Sequence, residues 1–146
     1  MPGYVPPAMK STGYNVYKIG IAFNRLVSGT WGTAPNTNQI LNLQFDNSLG
    51  NLNDEIEYKF FSKRGTFILS ILTITKPNGG IATVYIDGIA QGTIDFYADV
   101  TNYNTIVTLE ISIPSDGDHT LNFKVTGKNA SSTGYVITIS AFWLRG

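Results

Sequence analysis

The 146-residue chain has no cysteine, a single histidine, and ten acidic side chains balanced by ten basic ones. Each shortage excludes something. Without cysteine there are no disulfides and no thiolate metal ligands, so apolar burial has to hold the fold together. With His119 as the one imidazole, the common His-rich zinc sites cannot be assembled, and a Ser-His-Asp triad would have to use this residue. A formal charge of zero provides no overall positive field to draw phosphate backbones or anionic lipid, which argues against nucleic-acid and membrane-surface binding. No apolar run approaches the roughly 20 residues that span a bilayer. The opening MPGYVPPAMKSTGY lacks the basic start and continuous apolar core of a secretory signal. The expectation is a product of the cytoplasm with no transmembrane segment.

What the chain does hold is eight Phe, eight Tyr and two Trp, with fifteen Gly and six Pro to punctuate them. Its length suits one domain, and a domain of this size buries roughly 68–70% of the surface its unfolded chain exposes. No 3.6-residue apolar period runs through it. Short stretches alternate instead. Tyr14 to Phe23 sets Tyr17, Ile19, Ile21 and Phe23 against Val16, Lys18, Gly20 and Ala22. Leu41, Leu43 and Phe45 point inward in Ile40 to Phe45, as do Ile56, Tyr58 and Phe60 in Glu55 to Phe61. Phe67 to Thr75 is apolar on both faces, as a covered central strand would be. Asn24 to Asn38 reads as turn, with Trp31 in its middle as a lid over the core.

The stretch from Ile81 to Gly127 is the most regular. Ile81 to Asp87 alternates into Asp87-Gly88, a dipeptide suited to a tight hairpin turn, and Thr93 to Tyr97 follows. Thr105 to Ile113 puts Val107, Leu109, Ile111 and Ile113 on one face and stops at Pro114. Beyond Ser115-Asp116-Gly117-Asp118, the residues His119, Leu121, Phe123 and Val125 alternate with Thr120, Asn122, Lys124 and Thr126. Tyr135 to Leu144 reads as the closing strand. Nine or ten short strands joined by Gly, Pro, Asn and Asp turns predict an all-β fold, an antiparallel β-sandwich of jelly-roll type, over residues 14–146. Residues 1–13, with three of the prolines, predict an extended arm.

VYIDG, QGTIDFY, DGDHTLNFKVTG and the closing GYVITISAFWLRG together resemble the second half of the galactose-binding-domain-like jelly-roll family. The resemblance covers the C-terminal half well and Trp31 to Thr75 loosely. It implies a β-sandwich that serves as a carbohydrate binder, an enzyme appendage or a component of phage virions, because the fold does not fix the activity.

No catalytic constellation is present. The carboxylates are scattered, and Asp87, Asp116 and Asp118 read as turn formers. Asp46, Asp54 and Glu55 could supply oxygens to a structural calcium of the sort some resembling modules carry, yet no calcium-loop pattern surrounds them. No metal or cofactor is assigned. For sugar recognition the candidates are Trp31, Tyr97 and Tyr103, whose rings could stack on a pyranose, with Asn102 and Asn104 to bond its hydroxyls. The plain reading of residues 1–13 is a frayed terminus, and the sharper one is a partner-docking arm, because Tyr4, Val5, Pro6, Pro7 and Met9 make it more apolar than a solvated tail needs to be. The first expectation is therefore a non-enzymatic virion protein, a phage head-decoration, head-fibre or tail-associated subunit. It would dock on other coat subunits as a homo-oligomer, with a trimer as one form. The second is a carbohydrate-binding module reading glycans.

Overall fold

A computed structural model describes residues 14–41 and 44–146. The expected arm, with Tyr4, Val5, Pro6, Pro7 and Met9, and the predicted inward Leu43 lie outside the described residues. Eleven strands follow in order: β1 Tyr14–Ile19, β2 Arg25–Ser28, β3 Gly32–Ala34, β4 Gln44–Asp46, β5 Glu55–Ser62, β6 Gly65–Thr75, β7 Ile81–Ile86, β8 Ile89–Asp95, β9 Asn102–Ile113, β10 Gly117–Gly127 and β11 Ala141–Arg145. They form a four-stranded sheet, β1-β11-β6-β9, a five-stranded sheet, β2-β5-β10-β7-β8, and a small β3-β4 pair. All pairings between these strands are antiparallel. This is the expected jelly-roll β-sandwich.

Period-two alternation makes the core. Ile56, Tyr58 and Phe60 from β5, Leu121, Phe123 and Val125 from β10, and Ala82, Val84 and Ile86 from β7 meet Leu69, Ile71, Ile111, Phe142 and Leu144 of the other sheet. Tyr58, Phe123 and Phe142 pack edge to face at the centre, with ring centroids 4.9 to 6.0 Å apart. The Tyr58 hydroxyl donates to the carbonyl of Gly20 at 2.7 Å, which satisfies both groups inside the core. Asp87 and Gly88 take φ of +51° and +81° in the two-residue β7–β8 turn, the conformation an Asp-Gly hairpin needs.

The structure departs from the expected strands in four places. In β1 the buried side is that of Val16, while Tyr17 and Ile19 face outward, and the strand ends before Ile21 and Phe23. Asn24 to Asn38 holds β2 and β3 as well as turns. Leu41 is exposed, leaving Gln44–Asp46 as the strand and Phe45 as its inward residue. The closing strand is only Ala141–Arg145. Residues 136–140 before it are buried but change partners, with Val136 bridging Gly79, Thr138 bridging Asp46, and Ser140 N–H donating to Leu72.

Candidate binding site

Strands β2, β5, β10 and β7 bury one set of alternate residues and present the other on the outer face of the five-stranded sheet. Their register places Arg25 opposite Glu57, Glu57 opposite Asn122, and Asn122 opposite Tyr85. One row of side chains thus crosses four strands. The Asn122 amide nitrogen donates to Glu55 at 2.7 Å and to Glu57 at 3.4 Å, while Asn24 donates to Glu57 at 2.7 Å and Arg25 Nε at 3.2 Å. Glu57 and Asn122 are each only 9% exposed. The Arg25 hydrogen bond holds the Glu57 carboxyl below the usual carboxylate range against the opposing pull of burial, with Asn24 and Asn122 assisting. Asn122 Oδ1 takes no hydrogen bond from the described residues.

A cleft of about 320 Å³ lies over the Glu57–Asn122–Tyr85 part of this row, lined by Glu55, Glu57, Tyr85, Gly88, Thr120, Asn122 and Lys124. A second, of about 300 Å³, adjoins it through Thr120 and is lined by Lys59, Asp87, Asp118 and His119. Acceptors, donors and one phenol ring on a paired, rigid surface can bind a hydroxyl-rich molecule. His119 has Nδ1 2.6 Å from Asp87 and Nε2 2.7 Å from the Ser115 carbonyl, so neither ring nitrogen is left to act as a base.

The expected site residues are divided. Tyr97, Asn102 and Tyr103 share one end of the sandwich, where Thr75 pairs with Asn102 and Lys76 bridges Tyr97. Tyr103 is 42% exposed there, and Tyr97 is half-buried. Asn104 is a staple, since its side chain accepts from Ile40 N–H at 2.7 Å and donates to the Asn38 carbonyl at 2.8 Å. Trp31 is buried, packs on Phe45 at 5.8 Å and donates from Nε1 to the Ser28 carbonyl at 2.9 Å. Its ring closes the core and does not join the loop residues.

The three carboxylates considered for calcium do not converge. Asp46 is met by Gln44 at 2.8 Å and Lys76 at 3.8 Å, Asp54 by Asn47 and the Asn51 N–H, and Glu55 by Asn122. Among the described residues, no group of three or more His, Cys, Asp or Glu is placed to hold a metal ion. Sequence reasoning missed Glu55, Glu57, Tyr85 and Asn122 as a site. The signal was there in part, as acidic residues two apart on the wet side of a strand and an amide on the wet side of another.

No protein-family model matches the chain, and no curated protein does. Solved structures do. A Paenibacillus xanthan lyase superposes with a TM-score of 0.75 at 23% identity, covering 99% of this chain and 14% of the lyase. The family 35 carbohydrate-binding module of Clostridium thermocellum gives 0.63 at 13% identity, covering 90% of this chain and 98% of the module. A family 36 carbohydrate-binding module solved with calcium and xylotriose gives 0.64 at 12% identity, over 88% of this chain and 98% of the module. The chain thus has the jelly-roll fold of carbohydrate-binding modules, and it spans about a seventh of the lyase, 14% of that chain. None of these structures is a virion protein.

Proposed function

We propose that the chain is a non-enzymatic carbohydrate-binding module whose ligand lies on the outer face of the five-stranded sheet. The observation that carries this reading is the row Arg25–Glu57–Asn122–Tyr85, whose last three residues line a cleft of about 320 Å³. Glu55 and the Oδ1 of Asn122 are prearranged acceptors for sugar hydroxyls, with Asn122 held in place by Glu57; Lys124 and Thr120 are donors at the rim, and Tyr85 offers a ring to a pyranose face. Because the network is already formed, little ordering cost remains for binding. The fold shared with modules solved with xylotriose and with xylose supports the same class of ligand. A coat-subunit role has no counterpart among these structures.

Tyr97, Asn102 and Tyr103 at the loop end are a second location for the same function, favoured by the exposure of Tyr103. Calorimetric titration with a broad oligosaccharide panel, xylan- and xanthan-derived fragments included, separates the two. Asn122→Ala and Tyr85→Ala should each weaken binding about tenfold or more, the size of effect expected when a desolvated polar or aromatic contact is removed, and Tyr103→Ala should leave it unchanged. The reverse pattern moves the site to the loop end. A panel with no binder ends the carbohydrate reading.

A further inference from the structure

The outer face of the four-stranded sheet carries exposed apolar side chains between opposite charges, and we propose that it is a two-fold interface for a second copy of this chain. With β6 as the middle strand, three rows cross the face, Arg145–Ile68–Glu110, Trp143–Ser70–Thr108 and Ala141–Leu72–Ile106, with Ser70, Leu72 and Ala141 already buried within the chain. Ile68 and Ile106 are 41% and 55% exposed, and Tyr17, stacked on Trp143 at 6.3 Å, is 52% exposed. Isolated exposed apolar residues are ordinary, but several on one sheet face need a cover.

The arrangement of charge and bulk selects the cover. A two-fold axis along β6 exchanges the strands on either side of it, so β11 of one copy lies over β9 of the other. Arg145 then meets Glu110 of the second copy, twice by symmetry, with Ile68 against Ile68 between the two pairs. Within the chain neither Arg145 nor Glu110 has an ion-pair partner among the described residues. The next row fits in the same way. The bulky Trp143 falls over Thr108, beside a hollow of about 330 Å³ lined by Ile68, Ser70, Thr108, Arg145 and Gly146. A net charge of zero removes long-range repulsion between copies.

The test is the molar mass of the intact chain by sedimentation equilibrium over a concentration series, with Arg145→Glu, Glu110→Arg and the double variant. Both substituted residues are exposed, and circular dichroism checks that the fold survives in all three variants. The intact chain should dimerise. Each single swap should weaken the dimer about tenfold or more, since each replaces two close attractions by two repulsions, and the double swap should restore it. A chain that is monomeric at every concentration overturns the proposal, as does a dimer that the single swaps leave unchanged. A monomer that dimerises only when residues 1–13 are removed would make that segment the occupant and overturn it too. So would a monomer whose Trp143 fluorescence responds to saccharide.

Discussion

Replacing Asp87 by Asn should cost the fold about 1.5 kcal/mol below pH 6.5, and progressively less as the pH climbs through the elevated pKa of His119. His119 Nε2 lies 2.7 Å from the Ser115 carbonyl, which only accepts, so Nε2 carries a proton. Nδ1 lies 2.6 Å from the Asp87 carboxylate, another acceptor, so a second proton belongs in that contact. Below the folded-state pKa of His119, the pair is an imidazolium on a carboxylate. Burial alone pulls the His119 pKa down. The hydrogen bonds to Asp87 and to the Ser115 carbonyl, with the charges of Asp87 and Asp118, outweigh it, and the net shift is upward. Lys59 is the opposing charge lining the same cleft. The folded state therefore holds this proton more tightly than the unfolded chain does. Its stabilisation is fully present below the unfolded value near 6.5 and is lost as pH rises through the folded value.

The magnitude follows from the contact. A hydrogen bond to a charged group contributes about 1.5–3 kcal/mol. The lower end applies because the Asp87 side chain is 34% exposed and water screens it. Asn in its place keeps an oxygen for the Thr120 N–H, which Asp87 now receives at 2.9 Å, so the loss isolates the charge. For a domain near 150 residues, about 1.5 kcal/mol corresponds to roughly 3–6 °C in Tm. Thermal unfolding of the parent and Asp87→Asn in steps from pH 6 to pH 9 reads it. With one histidine and no cysteine, few other groups titrate in that window. The parent curve should fall toward the variant curve. Parallel curves, or a parent that gains stability on this climb, would refute the reasoning.

Two further substitutions probe the packing. Tyr58→Phe removes the buried donor to the Gly20 carbonyl and should cost about 1–3 kcal/mol in urea unfolding, the range for a buried acceptor left unmade; a loss of only a few tenths would contradict the core hydrogen bond. Gly79→Ala places a Cβ 2.0 Å from the main-chain oxygen of Phe96, whereas a Cβ at Gly88 meets nothing within 4 Å and contends only with its φ of +81°. Gly79→Ala should therefore lower Tm far more than Gly88→Ala, whose cost is about 1–2 kcal/mol, and equal losses would show that Gly79 does not touch the Phe96 main chain.

What the sequence revealed depended on whether a feature was local. β5, β7, β9 and β10 were legible because each has one buried and one wet face, and the two-residue period records that contrast directly. β2 left no trace, since all four of its residues are exposed and nothing alternates. The run from Tyr135 to Leu144 misled for the opposite reason. Its β-branched residues report burial, and burial is the same whether the backbone pairs with one strand or passes from Gly79 to Asp46 to Leu72. The candidate site follows the same division. That Glu57 and Asn122 lie on the outer side of their strands could be read from alternation along each strand. That they share a row with Arg25 and Tyr85 is a matter of register between segments far apart in the chain, which no local pattern encodes. Rings in a loop, such as Tyr103, are conspicuous in a sequence because loops look functional. A row supplied one residue at a time by four paired strands is nearly invisible there, yet it is the better binding surface, since pairing on both sides fixes each side chain before the ligand arrives.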